Sequence, residues 1–350
     1  MELRKLGHSK LKISALGLGT FAFGGSEYWG DQSQKDVDEA VHRAVDLGIN
    51  YFDTAESYSD GRAEDSLGNA IRDIPRDKLV IGTKISPSNV QPETMVEHCE
   101  ASLTRLGIDY TDIYMVHWPI QPHSIRQATD DESLINNPPN AVEVFEALGK
   151  LKQQGKTRHV GVSNFGVGRL KEAQTAGVEI VANELPYSLL TRAIELEILP
   201  HCHDFGVGVI GYMTFVQGLL TDVFPTLDDV PTWKRRTRHF DCRKSDKARH
   251  GQDGVEAETH AAIEDIRSIA RDIGLTMPQL ALKWALANSA VSCVLVGARN
   301  AAELEDNVWS SSQPLSLDVV SRLNEITKPL MDKMGPSFDY YESAENDRTM

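Results

Sequence analysis

The sequence is poor in the features that mark secreted, membrane-spanning or metal-binding proteins. Its 350 residues include 4 cysteines, which lie far apart and form no CxxC pair. We therefore expect reduced thiols in a cytoplasmic protein. No apolar stretch at the N-terminus has the length of a signal peptide, and no later run approaches a membrane span. The residues His201-Cys202-His203 resemble a metal-ligand pattern, but helical positions i and i+2 do not share a face, so we expect no metal site.

Positive charge is also scarce. The chain has 36 Lys and Arg residues against 51 Asp and Glu residues, which gives a formal net charge of −15. Neutralising the phosphates of a nucleic acid requires a basic surface, so we expect no nucleic-acid partner. The hydrophobic fraction of 41% and the charged fraction of 25% are ordinary for a soluble globular protein.

The sequence does contain a regular alternation of short apolar runs and longer helical patterns. Eight runs are candidate strands: residues 13–19, 49–55, 78–85, 111–118, 158–164, 179–185, 206–213 and 291–298. Several are apolar throughout, which is typical of parallel strands buried on both faces. Eight strand–helix units predict an α/β fold, a closed (β/α)8 TIM barrel forming one domain over residues 1–336, with a doubly wound open sheet as the rival architecture.

Helix start and stop signals lie between these runs. They predict helices within residues 31–48, 91–107 and 140–155, where a glycine at the end of each segment can supply the positive φ of a helix C-cap. A further helix is expected over residues 279–287, because Pro278 is tolerated in a first helical turn. These helices occupy the places where crossover connections between parallel strands belong.

Two polar segments interrupt this rhythm. Residues 120–140 follow the fourth candidate strand, and residues 221–257, with basic positions at 234–238 and 243–244, follow the seventh. Both lie at the barrel end that carries active sites, so we expect long loops that cover a ligand, with disordered surface inserts as the alternative. We also expect the polar tail, residues 337–350, to close over the mouth of the pocket.

Ionisable residues stand at the ends of three successive candidate strands. Asp53, Lys84 and His117 end the second, third and fourth, and Tyr58 lies five residues beyond Asp53. Each strand-end residue alone has an ordinary explanation: a helix cap for Asp53, a solvated side chain for Lys84 and a core histidine for His117. Because the C-terminal ends of barrel strands open into one mouth, we expect all four side chains to share a catalytic site.

The four side chains suit hydride transfer to a carbonyl group. Hydride addition leaves negative charge on oxygen, which requires a proton donor and a positive field. A free tyrosine has a pKa of about 10. We expect the ammonium of Lys84 to lower the pKa of Tyr58 and Asp53 to hold Lys84 in place. A neutral His117 can orient the substrate oxygen or assist proton relay.

Several segments of the chain resemble the aldo-keto reductase family, and the resemblance runs over nearly the whole sequence. They are YFDTAESYSDGRAEDSLGNAI (51–71), GTKI (82–85), HWP (117–119), GVSNF (161–165) and GARNAAELEDN (297–307). The resemblance implies an NAD(P)(H)-dependent oxidoreductase with Tyr58 as general acid/base. It also implies a cofactor bound extended across the barrel without a Rossmann domain, and the first strand is indeed followed by no GxGxxG.

The resemblance further implies a set of cofactor contacts. Ser163 and Asn164 would hold the nicotinamide carboxamide, and Tyr212 would stack on the ring, unless it is a core aromatic residue. The other implied contacts lie at strand ends and in the loops and helices that follow: Gly19, Thr20, Glu184, Gln217, Gly218, Leu220, Gly297, Arg299, Glu303, Asp306 and Asn307. Of these, Asp306 and Asn307 would contact the adenine.

Two positions depart from the family pattern. Glu184 stands where the family often has Gln, and its carboxylate can still accept a hydrogen bond from the carboxamide NH2. Met213 follows Tyr212 where the family usually has Ser, which removes a hydroxyl from the pyrophosphate site. The backbone of Gly218 and Leu220 can still reach the phosphates.

The last candidate strand and helix bear on the choice of cofactor. The helix begins near Asn300, and a helix N-terminus favours an anion. Arg299 can pair with the 2′-phosphate of NADP(H), helped by the basic positions of residues 234–244. Glu303 would repel that phosphate and can accept hydrogen bonds from a free 2′-hydroxyl. We expect NADP(H) to be slightly favoured, with NAD(H) as the alternative.

Aromatic residues dominate the expected substrate pocket. Phe21, Tyr28, Trp29 and Trp118 can form a flat surface for aromatic carbonyls or sugar rings, although Trp118 can also simply pack against its neighbours. The expected partner is a small carbonyl compound or sugar. Two alternatives stay open: a sugar or polyol dehydrogenase working in the oxidative direction, and a regulatory subunit with little turnover, like the potassium-channel β subunits. The sequence indicates no oligomeric state.

Overall fold

The N-terminus forms a small hairpin that closes one end of the molecule. In the computed structural model, which describes residues 1–25 and 30–350, strands β1 (Leu3–Lys5) and β2 (Lys12–Ser14) pair antiparallel. Leu6 and Ile13 of this hairpin are buried in the apolar cluster inside the main sheet. The sequence prediction merged β2 with the next strand as residues 13–19, because strands of three residues carry too little pattern to separate.

The main sheet is a closed barrel of parallel strands, which confirms the predicted TIM barrel and excludes the open sheet. Its strands are β3 (Leu16–Gly19), β4 (Tyr51–Asp53), β5 (Val80–Ile85), β6 (Thr111–Val116), β7 (Thr157–Ser163), β8 (Ile180–Pro186), β9 (Gly208–Tyr212) and β10 (Val291–Gly297). Each strand pairs with the one before it, and β10 pairs with β3 through Val294 and Leu16. Each predicted run overlaps one of these strands.

Helices connect the strands around the outside of the barrel. They are α1 (Gln34–Asp46), α2 (Arg62–Ile71), α3 (Met95–Leu106), α4 (Pro122–Ile125), α5 (Glu132–Asn136), α6 (Ala141–Gln153), α7 (Val167–Gln174), α8 (Ile198–Phe205), α9 (Glu256–Asp272), α10 (Met277–Ala287), α11 (Ala301–Ser311) and α12 (Leu317–Met334). The ends follow local chemistry: the Ser33 side chain accepts from the backbone N–H of Asp36 at the start of α1, and Gly107 ends α3 with a φ of +65°.

Apolar side chains fill two separate layers. Tyr51 and Met115 point into the barrel interior, whereas their neighbours Phe52 and Val116 pack between the barrel and the helices. Burial of both strand faces explains why the predicted runs are apolar throughout. Each large side chain in these layers contributes about 1.5–3 kcal/mol by leaving water.

The two long loops contain short helices. Residues 120–140 hold α4 and α5, and residues 221–257 hold single 3-10 turns such as Leu227–Asp229. None of the helices in the part of the chain that the structure describes is both long and apolar enough to cross a membrane.

The C-terminal tail packs across the loops that follow β6 and β7. The backbone N–H of Gly166 donates to the carbonyl of Thr349 at 2.8 Å, and the Gln121 side chain donates to the carbonyl of Arg348 at 2.7 Å. The tail therefore lies at the C-terminal end of the barrel strands, where the expected catalytic residues are found.

Candidate active site

A buried lysine connects the expected catalytic residues. Asp53 ends β4 and Lys84 lies in the adjacent strand β5. The ammonium nitrogen of Lys84 lies 2.7 and 2.6 Å from the two Asp53 carboxylate oxygens, 3.1 Å from the carbonyl of Thr54 and 3.2 Å from the Tyr58 hydroxyl. Lys84 is 0% exposed and Asp53 is 2% exposed. The ion pair thus fixes an ammonium group against a phenol.

The loop that carries Tyr58 is held by a carboxylate that the sequence did not single out. One oxygen of Glu56 accepts from the backbone N–H of Ser86 and from the Asn89 side chain, both at 2.8 Å, and the other lies 3.1 Å from His98 Nδ1. These contacts join the Tyr58 loop to the segment after β5 and to α3. Because the partners are 30 to 42 residues away in sequence, no local pattern predicts them.

Tyr58 keeps its proton near neutral pH. Burial raises the pKa of Tyr58 above its ordinary value, while the charge of Lys84 lowers it by a smaller amount. The expected lowering of the Tyr58 pKa by Lys84 is present, but desolvation outweighs it, so the pKa is raised overall. Burial also lowers the pKa of Lys84, but the carboxylates of Asp53 and Glu184 outweigh that effect and raise it overall. The pair is therefore a neutral phenol beside a permanent cation.

His117 lies beside Tyr58 as a neutral imidazole. It follows β6 directly, its Nδ1 is 3.4 Å from the Ser57 hydroxyl, and the centres of the His117 and Tyr58 rings are 5.6 Å apart. Burial, and then the positive charges of Lys84 and Arg348, lower the pKa of His117 well below its ordinary value. A neutral imidazole can donate a hydrogen bond to a carbonyl oxygen without carrying charge.

The residues expected at the nicotinamide carboxamide form one hydrogen-bonded group. Asn164, with a φ of +65°, donates to the His117 carbonyl at 3.1 Å and accepts from the Tyr212 hydroxyl at 2.7 Å. The Ser163 hydroxyl donates to the Glu184 carbonyl at 3.1 Å. The structure thus places the ends of β6, β7, β8 and β9 side by side around the expected catalytic residues.

Glu184 is part of the same buried cluster. One of its carboxylate oxygens lies 3.4 Å from the Lys84 nitrogen, and the other is buried without a hydrogen-bond partner. The side chain of Thr20, after β3, likewise has a buried hydroxyl without a partner. Such orphaned atoms are costly unless something completes them, so they fit a site that receives a polar ligand such as a carboxamide.

The loop after β9 has an unusual backbone. Met213, Gln217 and Gly218 have φ values of +65°, +56° and +104°. Positive φ at residues other than glycine is rare and concentrates at functional loops. The Gln217 side chain donates to the Tyr341 hydroxyl of the tail at 2.7 Å, and Leu220 is buried. This segment lies between β9 and the tail, where the resemblance expects the phosphates.

The ends of β3 and β10 complete the rim. Gly19 ends β3 and pairs in register with both Asp53 and Gly297. The backbone N–H of Thr20 donates to the Asp53 carbonyl at 2.9 Å. Gly19 and Thr20 therefore lie next to Asp53 on β4, and Gly297 lies one strand further around the barrel, as a contact with an extended cofactor would require.

The residues that bear on cofactor choice lie at the start of α11. Asn300 caps the helix by accepting from the Glu303 N–H at 3.0 Å. The Glu303 carboxylate accepts from the Arg299 backbone N–H at 3.0 Å and from the Arg299 guanidinium at 3.1 Å. Asp306 and Asn307 lie about one turn further along α11. Glu303 therefore pairs with the guanidinium of Arg299, the cation that was expected to meet a 2′-phosphate.

The basic cluster of the long loop is largely engaged within the protein. Arg235 and Arg238 donate to backbone carbonyl groups, and Arg243 pairs with a carboxylate two residues away. Lys234 lies near Arg299: burial, and then the charge of Arg299, lowers the pKa of Lys234. Lys234 is thus a member of the cluster that the structure brings near Arg299, the expected partner of a 2′-phosphate.

Two of the expected substrate residues flank the expected catalytic side chains. The Phe21 ring is 48% exposed and its centre lies 4.9 Å from that of Tyr58. The Trp118 ring is covered by the guanidinium of Arg348, 3.8 Å from its centre. Tyr28 and Trp29 lie outside the described residues. Isolated charges in a polar tail gave no signal that Arg348 would reach this site.

Comparisons with known proteins agree with this geometry. Residues 15–328 match the family model described as the aldo/keto reductase family. The chain is 30% identical to the NADH-specific methylglyoxal reductase of Escherichia coli (strain K12), covering 94% of this chain and 99% of that protein. It is 28% identical to the L-galactose dehydrogenase of Arabidopsis thaliana, covering 96% and 98%. Among solved structures, a glycerol dehydrogenase from Gluconobacter oxydans is 25% identical with a TM-score of 0.75, covering 93% and 95%.

Proposed function

The chain belongs to the aldo/keto reductase family of NAD(P)-dependent oxidoreductases, and on this premise we propose that Tyr58 is the general acid/base for hydride transfer between nicotinamide and a small carbonyl or alcohol. One observation carries the proposal: the ammonium of Lys84, held by Asp53, lies 3.2 Å from the Tyr58 hydroxyl. That arrangement places a proton donor and a fixed positive charge at one point of the barrel mouth.

Each side chain has a distinct task in this mechanism. When bound, the nicotinamide supplies the hydride in reduction and accepts it in oxidation. Tyr58 donates its proton to the developing alkoxide, and Lys84 stabilises the phenolate that Tyr58 becomes. Asp53 keeps Lys84 charged and oriented, and neutral His117 orients the substrate oxygen. In the oxidative direction Tyr58 takes the proton back from the alcohol.

The described residues around this point fit a nicotinamide cofactor. Ser163, Asn164 and Glu184 offer hydrogen-bonding groups at the ends of β7 and β8, and the free Glu184 oxygen can accept from an amide. We propose that these residues hold the carboxamide and that Tyr212 faces the ring. The phosphates would follow the loop of Gln217, Gly218 and Leu220, and the adenosine would reach α11.

We propose NAD(H) as the preferred cofactor. The sequence put NADP(H) slightly ahead, because it is the usual cofactor of the family and because Arg299 and the basic positions of residues 234–244 could meet its phosphate. In the structure both the guanidinium and the backbone N–H of Arg299 are bonded to Glu303. A carboxylate there repels a 2′-phosphate and can accept from a 2′-hydroxyl. The similarity to a reductase named as NADH-specific supports the same choice.

Glu303→Arg is expected to shift the ratio of NADH to NADPH affinities by about ten- to hundredfold toward NADPH. A hydrogen bond to a charged group contributes about 1.5–3 kcal/mol, and about 1.4 kcal/mol corresponds to a factor of ten. The measurement is fluorescence titration with both reduced cofactors. Glu305→Arg is the matched control, because it makes the same charge change on α11 at a residue that pairs with Arg43 of α1 instead.

The Glu305→Arg control should show no shift in the ratio of NADH to NADPH affinities. Unchanged selectivity in Glu303→Arg would place the adenosine 2′ position elsewhere and would remove the argument for NAD(H). An equal shift in both variants would mean that the overall charge of α11, rather than the contact with Glu303, sets the preference.

We propose that the protein reduces a small carbonyl compound. The second candidate function is oxidation of a sugar or polyol by a dehydrogenase. The exposed ring of Phe21 beside Tyr58 offers a flat apolar wall. The similarity to proteins named L-galactose dehydrogenase and glycerol dehydrogenase favours the oxidative candidate. Turnover of aldehydes and ketones with NADH, and of sugars and polyols with NAD⁺, distinguishes the two. Cofactor binding without turnover of either set would instead support a regulatory subunit.

A further inference from the structure

Strand β8 adds a second carboxylate to this buried cluster, and its contact with the lysine is longer than that of Asp53, at 3.4 Å against 2.6 Å. An ammonium group has three N–H donors. Those of Lys84 are directed at Asp53, the Thr54 carbonyl and the Tyr58 hydroxyl. Glu184 is left with an ion contact of 3.4 Å through one oxygen and with no partner at the other.

The charges of the cluster do not balance if both carboxylates are ionised. Asp53 and Glu184 are 2% and 3% exposed and share the single ammonium of Lys84. A net negative charge so far from water is costly, and a proton on one carboxylate removes that cost. Glu184 is the better site for this proton, because Asp53 has the two short bonds to Lys84.

The other ionisable groups around Glu184 do not change this balance. The titratable residues that face it are Tyr51 and Asp53 on β4, Tyr58 in the loop after β4, Lys84 on β5, Tyr212 on β9 and Cys293 on β10. Burial raises the pKa of the tyrosine hydroxyls and of the cysteine thiol, so these groups stay neutral near pH 7. Burial and the Asp53 charge likewise raise the pKa of Glu184, against the opposing effect of Lys84.

The oxidation state of the cofactor changes the charge next to this cluster. This step rests on the proposed function, because hydride transfer requires the nicotinamide ring to lie near the substrate carbon whose oxygen meets Tyr58. Tyr58 and Glu184 contact the same Lys84 nitrogen, at 3.2 and 3.4 Å. The oxidised ring is positively charged and the reduced ring is neutral. At an effective dielectric constant of about 20, a positive charge within about 10 Å favours an ionised carboxylate by about a factor of ten.

We propose that Glu184 discriminates oxidised from reduced cofactor: it is protonated in the enzyme alone, releases its proton to solvent when NAD⁺ binds, and keeps the proton when NADH binds. A carboxyl group thereby becomes a carboxylate beside the positive ring, and no other bond changes. The glutamine that the family often has at this position cannot do this, because an amide does not ionise.

Proton release can be measured directly on the unaltered enzyme. Isothermal titration of NAD⁺ and of NADH in two buffers of different ionisation enthalpy gives the number of protons released on binding at each pH between about 6 and 9. We expect NAD⁺ to release up to about half a proton more than NADH, and the Kd of NAD⁺ to fall by up to about threefold per pH unit where that release is largest and by about tenfold in all. The Kd of NADH should lack this dependence.

Glu184→Gln isolates the contribution of Glu184. This variant should bind both forms but lose the extra proton release, because the amide has the size of the carboxyl group and no proton to release. Glu64→Gln is the matched control: Glu64 is another buried glutamate with a pKa raised by burial, on α2, paired with Thr83 and Arg105. The Glu64→Gln variant should keep the parental proton release.

The outcomes separate this proposal from the proposed function. If neither the NAD(H) pair nor the NADP(H) pair binds, both proposals fail. If both bind with equal proton release in the unaltered enzyme, the role of Glu184 is overturned while the hydride-transfer function stands. If a folded Glu184→Gln variant still releases more protons with NAD⁺ than with NADH, the proton comes from another group. That result would also overturn the role of Glu184.

Discussion

Tyr58→Phe is expected to reduce turnover by about 10²–10⁴-fold, the usual contribution of a general acid/base, while cofactor affinity stays unchanged. The substitution removes the hydroxyl that lies 3.2 Å from the Lys84 nitrogen and leaves the ring against Phe21 and His117. A loss confined to the chemical step is the signature of a proton donor. Steady-state kinetics with NADH and a reactive aldehyde, beside fluorescence titration of NADH, measures the two quantities separately.

The matched control for this variant is Tyr114→Phe. Tyr114 is a fully buried tyrosine on β6 whose hydroxyl has no hydrogen-bond partner, and it packs in the layer between barrel and helices. Removing its hydroxyl should leave turnover near that of the parent. If Tyr58→Phe also retains parental turnover, the general acid/base lies elsewhere and the assignment of the catalytic residues is wrong.

Lys84→Met is expected to reduce turnover by a similar factor of about 10²–10⁴, for a different reason. Tyr58 would keep its hydroxyl, but burial already raises the pKa of that hydroxyl and the Lys84 charge is what opposes the effect. Without the ammonium, the phenolate left after proton donation has no compensating charge. In the oxidative direction Tyr58 must act as a base, so activity rises with pH as its hydroxyl ionises. In Lys84→Met this rise should therefore occur at a higher pH than in the parent.

Stability must be separated from catalysis in this variant. Removing one partner of a buried ion pair costs about 3–5 kcal/mol, since Asp53 is left with an uncompensated charge. The double variant Asp53→Asn, Lys84→Met removes both charges and should regain part of the thermal stability without regaining turnover. Lys283→Met is the control for loss of a buried lysine: Lys283 is 6% exposed and donates to the Gln313 carbonyl, on the helix side of the barrel. Parental turnover in Lys84→Met would contradict the mechanism.

The barrel was predictable because its pattern is repeated and local. Each candidate strand is a short apolar run, helices α1 and α6 begin at the side-chain caps Ser33 and Asn140, and α3 ends at the expected Gly107 but begins at Met95, four residues after the expected start. The N-terminal hairpin was missed because β1 and β2 are three residues long. Its role depends on Leu6 and Ile13 meeting the barrel interior, a contact between distant parts of the chain.

The grouping of the expected catalytic residues was predictable from topology. Asp53, Lys84 and His117 lie at or next to the C-terminal ends of successive strands, and parallel strands of one barrel bring such residues to one mouth. The net pKa shift of Tyr58 was not predictable, because it depends on how deeply the phenol is buried as well as on Lys84. The same limit applies to Glu184, whose contact with Lys84 was not expected from the sequence.

The features of the site that the sequence did not indicate depend on contacts between residues far apart in the chain. Glu56 holds the Tyr58 loop through residues 33 and 42 positions away in sequence, and Arg348 covers Trp118 from the last residues of the tail. Arg348 is itself fixed by two bonds of 2.7 Å to the buried Asp339. The expectation that the tail lies over the mouth agrees with these contacts, but only the folded chain shows which of its side chains reaches the site.

The most direct test of the account is a rapid-mixing measurement of NADH oxidation in a single turnover with a reactive aldehyde, comparing the unaltered enzyme with Tyr58→Phe. A single turnover separates chemistry from cofactor binding and product release. The account predicts that the rate of the chemical step falls by about 10²–10⁴-fold in Tyr58→Phe while NADH binds as in the parent. Equal single-turnover rates in the two proteins would contradict the role of Tyr58 as the proton donor.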